Sequence, residues 1–229
     1  MIYNNKLFKV LIPARGGSKG LKNKNIRMLS SKPIIQYTIE EANNIFDVKD
    51  IFVSTDSSEI KEVAEKLGIL VPKLRPKSLS DDLTPMKDVI LHFLENVNKL
   101  DYLVLLQPTS PFRKSKHILE AINEMDDKTD MVVSVCESKH NPYWNLFEET
   151  KSGVLKKSKK GNYYRRQDVP KVYLYNGAIY IIKVDSMIKN RNLNFKNVKK
   201  YLMDWKSSID IDTEEQLQYA EFIKKKYKI

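Results

Sequence analysis

The sequence predicts an α/β fold, in which a mostly parallel central sheet carries helices on both faces and one smaller β-rich insertion interrupts the chain. Between residues 7 and 135, short apolar runs alternate with segments whose apolar residues recur at helical spacing. The same alternation returns between residue 178 and the C-terminus, after a stretch that lacks it. Strands that alternate with helices favour a parallel sheet, because each crossover helix covers one of its faces.

The first element is a strand over residues 7–13, whose apolar run ends at a proline and is followed by three glycines before residue 21. Glycines allow a tight loop directly after a buried strand. A helix should begin at Pro33, since the apolar residues from Ile34 to Ala42 recur at helical spacing. In chain order we then expect a strand at 50–55, helices at 57–67 and 85–97, a strand at 101–106, a helix at 115–125 and a strand at 131–135.

Residues 137–172 break this rhythm, because turn residues, basic residues and aromatics follow one another there without a helical period. We expect a β-rich insertion. The α/β pattern resumes with a strand at 178–183, a helix at 184–190, a strand at 198–203 and a closing helix at 213–227. The chain therefore divides into a core, residues 1–136 and 173–229, and an insertion, residues 137–172.

Composition excludes several classes of protein. A single cysteine rules out a disulfide scaffold, and the 41% hydrophobic residues are enough to fill a core for 229 residues. No apolar run approaches the length that spans a bilayer, and the N-terminal segment lacks the apolar stretch of a signal peptide, so we expect a cytoplasmic protein without a membrane partner.

The net charge is 40 − 29 = +11, which raises nucleic acid as a partner. The basic residues are mostly lysines scattered along the chain, and no nucleic-acid-binding motif accompanies them. We therefore expect no nucleic-acid partner. A nucleic-acid-binding module is kept as an alternative hypothesis because of the net charge. A filter-binding titration against salt would distinguish the two, because contacts to a phosphate backbone weaken steeply with salt.

The loop over residues 14–25, ARGGSKGLKNKN, combines three glycines with Arg15, Lys19, Lys22 and Lys24. Glycines allow backbone N–H groups to approach an anion, and the cations neutralise its charge. The P-loop and dinucleotide-binding spacings are both absent. The loop therefore indicates a polyphosphate site, with a solvated basic turn as the plain alternative.

Polar side chains also follow later strands, where open α/β sheets bind their ligands. Gln107 comes directly after the buried strand at 101–106. Near the C-terminus, Asp210 and Asp212 alternate with isoleucines, so both carboxylates should point to one face, an arrangement that suits Mg²⁺. Alternatively, Asp212 could cap the closing helix together with Glu215.

Seven motifs along the chain resemble those of the acylneuraminate cytidylyltransferases, also called CMP-sialic acid synthetases. They are IPARGGSKGLKNKN, STDSSEI, LRPKSLSDD, LQPTSPFR, RRQDVP, YNGAIYI and SIDIDTEEQL, in this order. The resemblance implies a fold like that of nucleotide-diphospho-sugar transferases and transfer of CMP from CTP to a nine-carbon 2-keto sugar acid, with release of pyrophosphate and dependence on Mg²⁺. It also implies a role in capsule or lipopolysaccharide biosynthesis and a homodimer in which the insertion reaches the partner's active site.

The resemblance assigns roles residue by residue. Nucleotide contacts fall to Ala14, Arg15, Ser18, Lys24, Asn25 and Arg75, sugar contacts to Gln107, Asn176 and Tyr180, and a role in cis or across the dimer to Arg165, Arg166 and Gln167. Arg15 and Lys24 would stabilise charge on the leaving pyrophosphate, and Asp210 and Asp212 would bind the metal.

Some relatives place a hydroxyl where this chain has Met86, which excludes that contact here. The first loop differs from that of the related Kdo cytidylyltransferases, so an eight-carbon sugar is disfavoured. Legionaminic or pseudaminic acid in place of N-acetylneuraminate, and a nucleotide donor other than CTP, are the alternatives within this fold.

Overall fold

A seven-stranded mixed sheet forms the centre of the computed structural model, which describes residues 1–18 and 20–229. In chain order the strands are β1 (Ile2–Tyr3), β2 (Lys6–Pro13), β3 (Met28–Leu29), β4 (Lys32–Pro33), β5 (Ile51–Ser54), β6 (Tyr102–Leu106), β7 (Met131–Glu137), β8 (Phe147–Glu149), β9 (Leu155–Lys157), β10 (Tyr173–Lys183) and β11 (Val198–Leu202). The α-helices are α1 (Ile34–Asn43), α2 (Ser58–Lys66), α3 (Met86–Glu95), α4 (Ser115–Asn123), α5 (Val184–Asn190) and α6 (Glu214–Tyr227).

The central sheet has the order β5-β2-β6-β10-β7-β11, and β1 also pairs with β2. Five strands, β5, β2, β6, β7 and β11, run in one direction, whereas β10 is antiparallel to both of its neighbours. In register, Val10 of β2 pairs with Ile51 of β5 and with Val104 of β6. The predicted α/β class with a mostly parallel sheet is confirmed.

The two faces of the sheet are buried by different helices, because successive residues of a strand point to opposite sides. Val10 and Ile12 of β2 pack in a cluster with residues of α1, α2 and α4. Leu11, between them, packs in a second cluster with residues of α3 and α5. Helices on both faces, as predicted, therefore exclude water from the sheet.

A third apolar cluster brings the C-terminal part of the chain to the loop after β2. Ile209 and Ile211 pack there with Leu21 of that loop and with Leu217 of α6. The segment around them is not a strand of the sheet, although the Ile211 N–H donates to the Thr109 carbonyl oxygen at 2.9 Å. Burial of the two isoleucines fixes the aspartates that alternate with them.

The insertion lies outside the central sheet. The chain leaves β7 at Glu137, forms the exposed β8–β9 hairpin and a short 3-10 turn at Arg166–Asp168, and re-enters the sheet at Tyr173. These positions lie at the bounds expected for the insertion. That the insertion is a separate unit of the protein stays a prediction. Strand β10 is longer than the strand expected at 178–183. Within the described ranges, no helix is both long and apolar enough to cross a membrane.

Candidate active site

A cleft opens where β2 and β6 end, with a cavity of about 270 Å³. Such a position is where open α/β sheets bind ligands. Its lining includes six of the residues that the sequence singles out, namely Arg15, Ser18, Lys24, Asn25, Arg75 and Gln107, together with Pro13, Leu79, Asp81, Asp82, Thr84, Met86, Val89, Pro108 and Thr109. The sheet thus assembles in one cavity residues that are about 90 positions apart in the sequence.

The loop after β2 is held in place by hydrogen bonds from both sides. The buried Ala14 extends the pairing with β5, because its N–H donates to the Ser54 carbonyl oxygen at 2.9 Å. The Gly16 N–H donates to Asp56 Oδ1 at 2.9 Å, and Asn25 Nδ2 donates to the Arg15 carbonyl oxygen at 2.9 Å. These bonds fix the backbone that carries the basic side chains. Lys19 lies outside the described residues.

The described cations of the cleft already have partners. Arg15 forms an ion pair with Asp82, and Lys24 Nζ lies 2.5 Å from Asp212 Oδ1. Arg75 is buried, and its Nη1 donates to the Ser54 carbonyl oxygen at 3.2 Å. Burial, reinforced by the charge of Arg15, lowers the pKa of Arg75. A bound anion would therefore have to compete with two carboxylates.

Asp210 is half-buried beside the cleft residues Gln107 and Thr109, although it is not among the described residues that line the cavity. Its Oδ1 is buried without a hydrogen-bond partner in the described part of the chain. Burial raises the pKa of Asp210 and the charge of Asp212 raises it further, whereas Thr109 and Lys24 oppose that shift. An unpartnered buried oxygen of this kind fits a site for a cation.

Asp212 does not cap helix α6, so that alternative is wrong by one residue. Thr213 is the N-cap, its hydroxyl accepts from the Gln216 N–H, and the Gln216 side chain bonds back to the Thr213 N–H. The Asp212 carboxylate is thereby left to Lys24. By contrast, Ser57 does cap α2, because its side-chain oxygen accepts from the Ile60 N–H at 3.3 Å.

The opening loop and the C-terminal carboxylates meet directly. A Cβ placed on Gly20 would lie 2.5 Å from the Asp212 carbonyl oxygen, so only glycine fits against this backbone. Together with the Lys24–Asp212 ion pair, this contact joins the basic loop to the acidic segment. The two segments that the sequence assigns to one site, the loop over residues 14–25 and the segment over residues 210–212, therefore lie side by side.

The proposed sugar-facing residues flank the same carboxylates. A Cβ placed on Gly177 would lie 3.5 Å from Gln107 Oε1 and 3.8 Å from Asp210 Oδ2. Tyr180 is electrostatically coupled to this group, since burial and then the charge of Asp210 raise its pKa. Asn176 is buried and hydrogen-bonds Ser134 and Ser208.

Three predicted residues lie on the insertion and are exposed. Arg165 Nε donates to Asp168 Oδ2 at 2.8 Å, and Arg166 Nη2 donates to the Lys139 carbonyl oxygen at 3.0 Å. Gln167 belongs to the same 3-10 turn. The partners of both arginines, Asp168 and Lys139, lie within the insertion, and none of the three predicted residues lines the described cavity.

Arg113 was missed by the sequence reasoning, which treated LQPTSPFR only as a family motif. Its guanidinium is 1% exposed and donates to the Gln107 carbonyl oxygen at 3.1 Å, the Ala178 carbonyl oxygen at 2.9 Å and Thr38 Oγ1 at 2.5 Å. Burial lowers the pKa of Arg113 to about 9, so it stays protonated at neutral pH. Arg113 therefore ties β10 and α1 to the end of β6 that carries Gln107.

Comparisons with known proteins agree on one family. A family model described as cytidylyltransferase matches residues 9–229. The chain is 38% identical over 218 residues to the CMP-N,N'-diacetyllegionaminic acid synthase of Campylobacter jejuni, covering 93% of this chain and 92% of that protein. It is 39% identical over 208 residues to an N-acylneuraminate cytidylyltransferase of Streptococcus agalactiae, covering 89% of this chain and half of that longer protein. The solved CMP:2-keto-3-deoxy-manno-octonic acid synthetase with CTP shares the fold, with a TM-score of 0.73 at 16% identity, covering 96% of this chain and 99% of that one.

Proposed function

Since the chain belongs to the cytidylyltransferase family, we propose that it transfers CMP from CTP to a nine-carbon 2-keto sugar acid of the sialic or legionaminic type. The observation that carries this proposal is the contact between the basic glycine loop and the two C-terminal carboxylates, at Lys24 and Asp212. A polyphosphate and a metal-binding pair are thereby accommodated at one place, at the strand ends where the sheet opens.

In the proposed reaction, the anomeric hydroxyl oxygen of the acid forms a bond to the α-phosphorus of CTP. The bond from that phosphorus to the bridging oxygen breaks, pyrophosphate leaves, and the hydroxyl gives up its proton. A hydroxyl is a weak nucleophile, so the protein must place it in line and stabilise the negative charge that develops on pyrophosphate.

The Asp210 and Asp212 carboxylates fit a divalent cation by their chemistry, because hard oxygen ligands suit such ions and Asp210 Oδ1 has no hydrogen-bond partner among the described residues. In residues 1–18 and 20–229, no three His, Cys, Asp or Glu side chains gather to hold a metal ion by themselves. Two carboxylates completed by substrate phosphates and water are the usual arrangement for Mg²⁺. We therefore propose Mg²⁺, which when bound neutralises charge on the triphosphate.

Arg15 and Lys24 would bind the phosphates. A cation about 4 Å from a phosphate oxygen contributes about 4 kcal/mol at an effective dielectric constant of about 20, before desolvation is subtracted. Because each of the two is already paired with a carboxylate, binding exchanges one ion pair for another, and the net gain is smaller. We assign the nucleoside to the cleft residues Ser18, Asn25 and Arg75 and to the buried Ala14, which lies between the lining residues Pro13 and Arg15 in the sequence.

The acceptor would lie beside Asp210, between Gln107 and Tyr180. The Gln107 amide can donate to a carboxylate or accept from a sugar hydroxyl, and the Tyr180 hydroxyl can do the same. Burial keeps the Tyr180 phenol protonated, since its pKa is raised. Neutral polar groups of this kind suit a polyhydroxylated acid better than an apolar acceptor.

A homodimer in which Arg165, Arg166 and Gln167 complete the partner's site is a further part of the proposal. It is supported by their exposure on an insertion that projects from the central sheet. The test mixes an Arg166→Ala variant with an Asp210→Asn variant under conditions that exchange subunits. Activity should return in the mixture if the insertion acts across the interface, and should not return if it acts within one subunit.

The assay for the function incubates the purified chain with CTP, Mg²⁺ and one of three acids, N-acetylneuraminate, diacetyllegionaminate or pseudaminate. We expect pyrophosphate and the corresponding CMP-sugar with at least one acid, and less product with UTP, ATP or GTP. Absence of product with all three acids would refute the proposal. A higher turnover with UTP or GTP than with CTP would show that CTP is not the preferred donor.

A further inference from the structure

Strand β10 contains a bulge at the level of the active site. Tyr175 pairs with Val135 and Tyr180 with Val133, so five steps along β10 oppose two steps along β7. Gly177, in the middle of the bulge, has a φ of 75°, a left-handed conformation that favours glycine. Such a bulge removes backbone N–H groups from the regular ladder, and these need other partners.

Two side chains supply those partners. The Ala178 N–H donates to Asn176 Oδ1 at 3.2 Å, and the Ile179 N–H donates to Ser134 Oγ at 2.8 Å. Ser134 is fully buried on β7, and its hydroxyl in turn donates to Asn176 Oδ1 at 2.6 Å. The bulge is therefore stabilised by a buried pair, Ser134 and Asn176.

All four hydrogen-bonding positions of the Asn176 amide are occupied by the protein. A primary amide has two donor hydrogens and an oxygen with two lone pairs. The oxygen accepts from Ser134 Oγ and the Ala178 N–H, and Nδ2 donates to Ser208 Oγ at 2.8 Å and to Met203 Sδ at 3.4 Å. Asn176 is 5% exposed and is not among the described residues that line the cavity.

The orientation of the amide is fixed at its other end by Ser208. The Ser208 hydroxyl donates to the Asp204 carbonyl oxygen at 2.7 Å, so it must accept the hydrogen bond from Asn176 Nδ2. Ser208 precedes Asp210 by two residues. A directional chain of hydrogen bonds thus runs from β7 through Asn176 to the turn that precedes both carboxylates.

We propose that Asn176 is a positioning residue, which ties the turn over residues 204–208 to the bulge of β10 and thereby sets the position of Asp210 and Asp212. In this role Asn176 does not contact the acceptor, although the family resemblance implies such a contact. The proposal rests on the proposed function for its kinetic consequences, but its structural consequence concerns the ligand-free chain. Mutation of the partners that orient metal ligands typically costs about 10- to 100-fold in metal affinity or activity.

The test compares Asn176→Ala, Ser208→Ala, the double variant and a matched control, Ser207→Ala. The Ser207 hydroxyl lies in the same turn but donates to Asp204 Oδ2, not to Asn176. In the ligand-free proteins, hydrogen exchange of the amides at 204–212 should be about 10-fold faster in both single variants, which corresponds to about 1.4 kcal/mol. The double variant should be no faster than the single ones, because both substitutions break the same link.

Steady-state kinetics separate positioning from contact. For Asn176→Ala and Ser208→Ala we expect kcat to fall about 10- to 100-fold and the KM for the acid to stay within about twofold. Ser207→Ala should keep the wild-type kcat. If Asn176→Ala fails to fold, Ser208→Ala decides alone, with Ser208→Thr expected to restore kcat because it keeps the hydroxyl.

Three results would overturn the proposal. The first is a large rise in the acceptor KM of Asn176→Ala at unchanged kcat, with Ser208→Ala like wild type, since that pattern indicates a direct sugar contact. The second is equal loss in Ser207→Ala, which would indicate general loosening of the turn. The third is wild-type exchange at 204–212 in both single variants. A wild-type chain that turns over no acid refutes the proposed function instead, and leaves the exchange result to decide the positioning role.

Discussion

Gly20 offers a test of whether the opening loop must touch the C-terminal segment. Adding a Cβ there would place carbon 2.5 Å from the Asp212 carbonyl oxygen. Close carbon–oxygen contacts are about 3.3–3.6 Å, so Gly20→Ala forces the loop and the Asp212 backbone apart by about 1 Å. The atoms that this Cβ would meet, the Asp212 carbonyl oxygen and carbon, belong to the backbone and cannot rotate away as a side chain would. A misplacement of about 1 Å at a reacting centre costs on the order of 100-fold in rate, or about 2.7 kcal/mol.

Gly17→Ala is the matched control in the same loop, because a Cβ at Gly17 meets no heavy atom of the described residues within 4 Å. Steady-state kinetics with CTP, Mg²⁺ and the preferred acid should show a loss of about 100-fold in kcat/KM for Gly20→Ala and little change for Gly17→Ala. Thermal melts should show that both variants are folded. Wild-type activity in Gly20→Ala, or equal losses in the two variants, would refute the reasoning that close contact with Asp212 is required.

Three other predictions follow from buried groups. Asp210→Asn should lower kcat at least about 100-fold, and turnover at the wild-type rate would contradict the metal-binding role of Asp210. The same variant should raise the melting temperature by about 2–4 °C, because it removes a poorly compensated buried charge that costs roughly 1 kcal/mol of stability. Burial lowers the pKa of His117 from 6.5, so the unfolded chain protonates first and the protein loses stability as pH falls through 6.5. His117→Asn, which keeps an acceptor for the Lys114 N–H, should lose less stability between about pH 7 and 5 in denaturant titrations, and equal slopes would contradict the assignment. Arg113→Met should destabilise the fold by about 3 kcal/mol, because it removes three hydrogen bonds from a buried guanidinium, two of them to the buried Ala178 carbonyl and Thr38 hydroxyl oxygens. Calorimetry should show a drop in melting temperature of roughly 6–12 °C, and an unchanged melting temperature would be inconsistent with this role.

Most of the fold could be predicted because its strands and helices carry clear periodic signals. Strand β6 is buried along its whole length and reads as a continuous apolar run, and the predicted helix at 184–190 matches α5 at both ends. The direction of β10 could not be predicted, since an apolar run looks the same in either orientation. Its first residues, Tyr173–Tyr175, were also missed, because they are exposed and the bulge at Gly177 interrupts the alternation.

The candidate site could be predicted only to the level of which segments meet. Strands β2 and β11 run in the same direction, so the loop that carries Lys24 and the segment that carries the C-terminal carboxylates leave the sheet at the same edge, although three strands separate them. The partners of individual side chains, such as Asp82 for Arg15 and the three acceptors of Arg113, depend on long-range packing that leaves no local pattern. The family resemblance is confirmed by the comparisons, whereas the residue roles and the domain boundaries stay predictions.

The most direct measurement of the central claim is an anomalous diffraction map of crystals grown with CTP and Mn²⁺ as a substitute for Mg²⁺. The arrangement of the cleft predicts one strong peak within about 2.0–2.3 Å of oxygens from Asp210 and Asp212, with the triphosphate between these carboxylates and the loop over residues 14–25. A peak at Asp81 and Asp82 instead, with the triphosphate away from Lys24, would contradict the account.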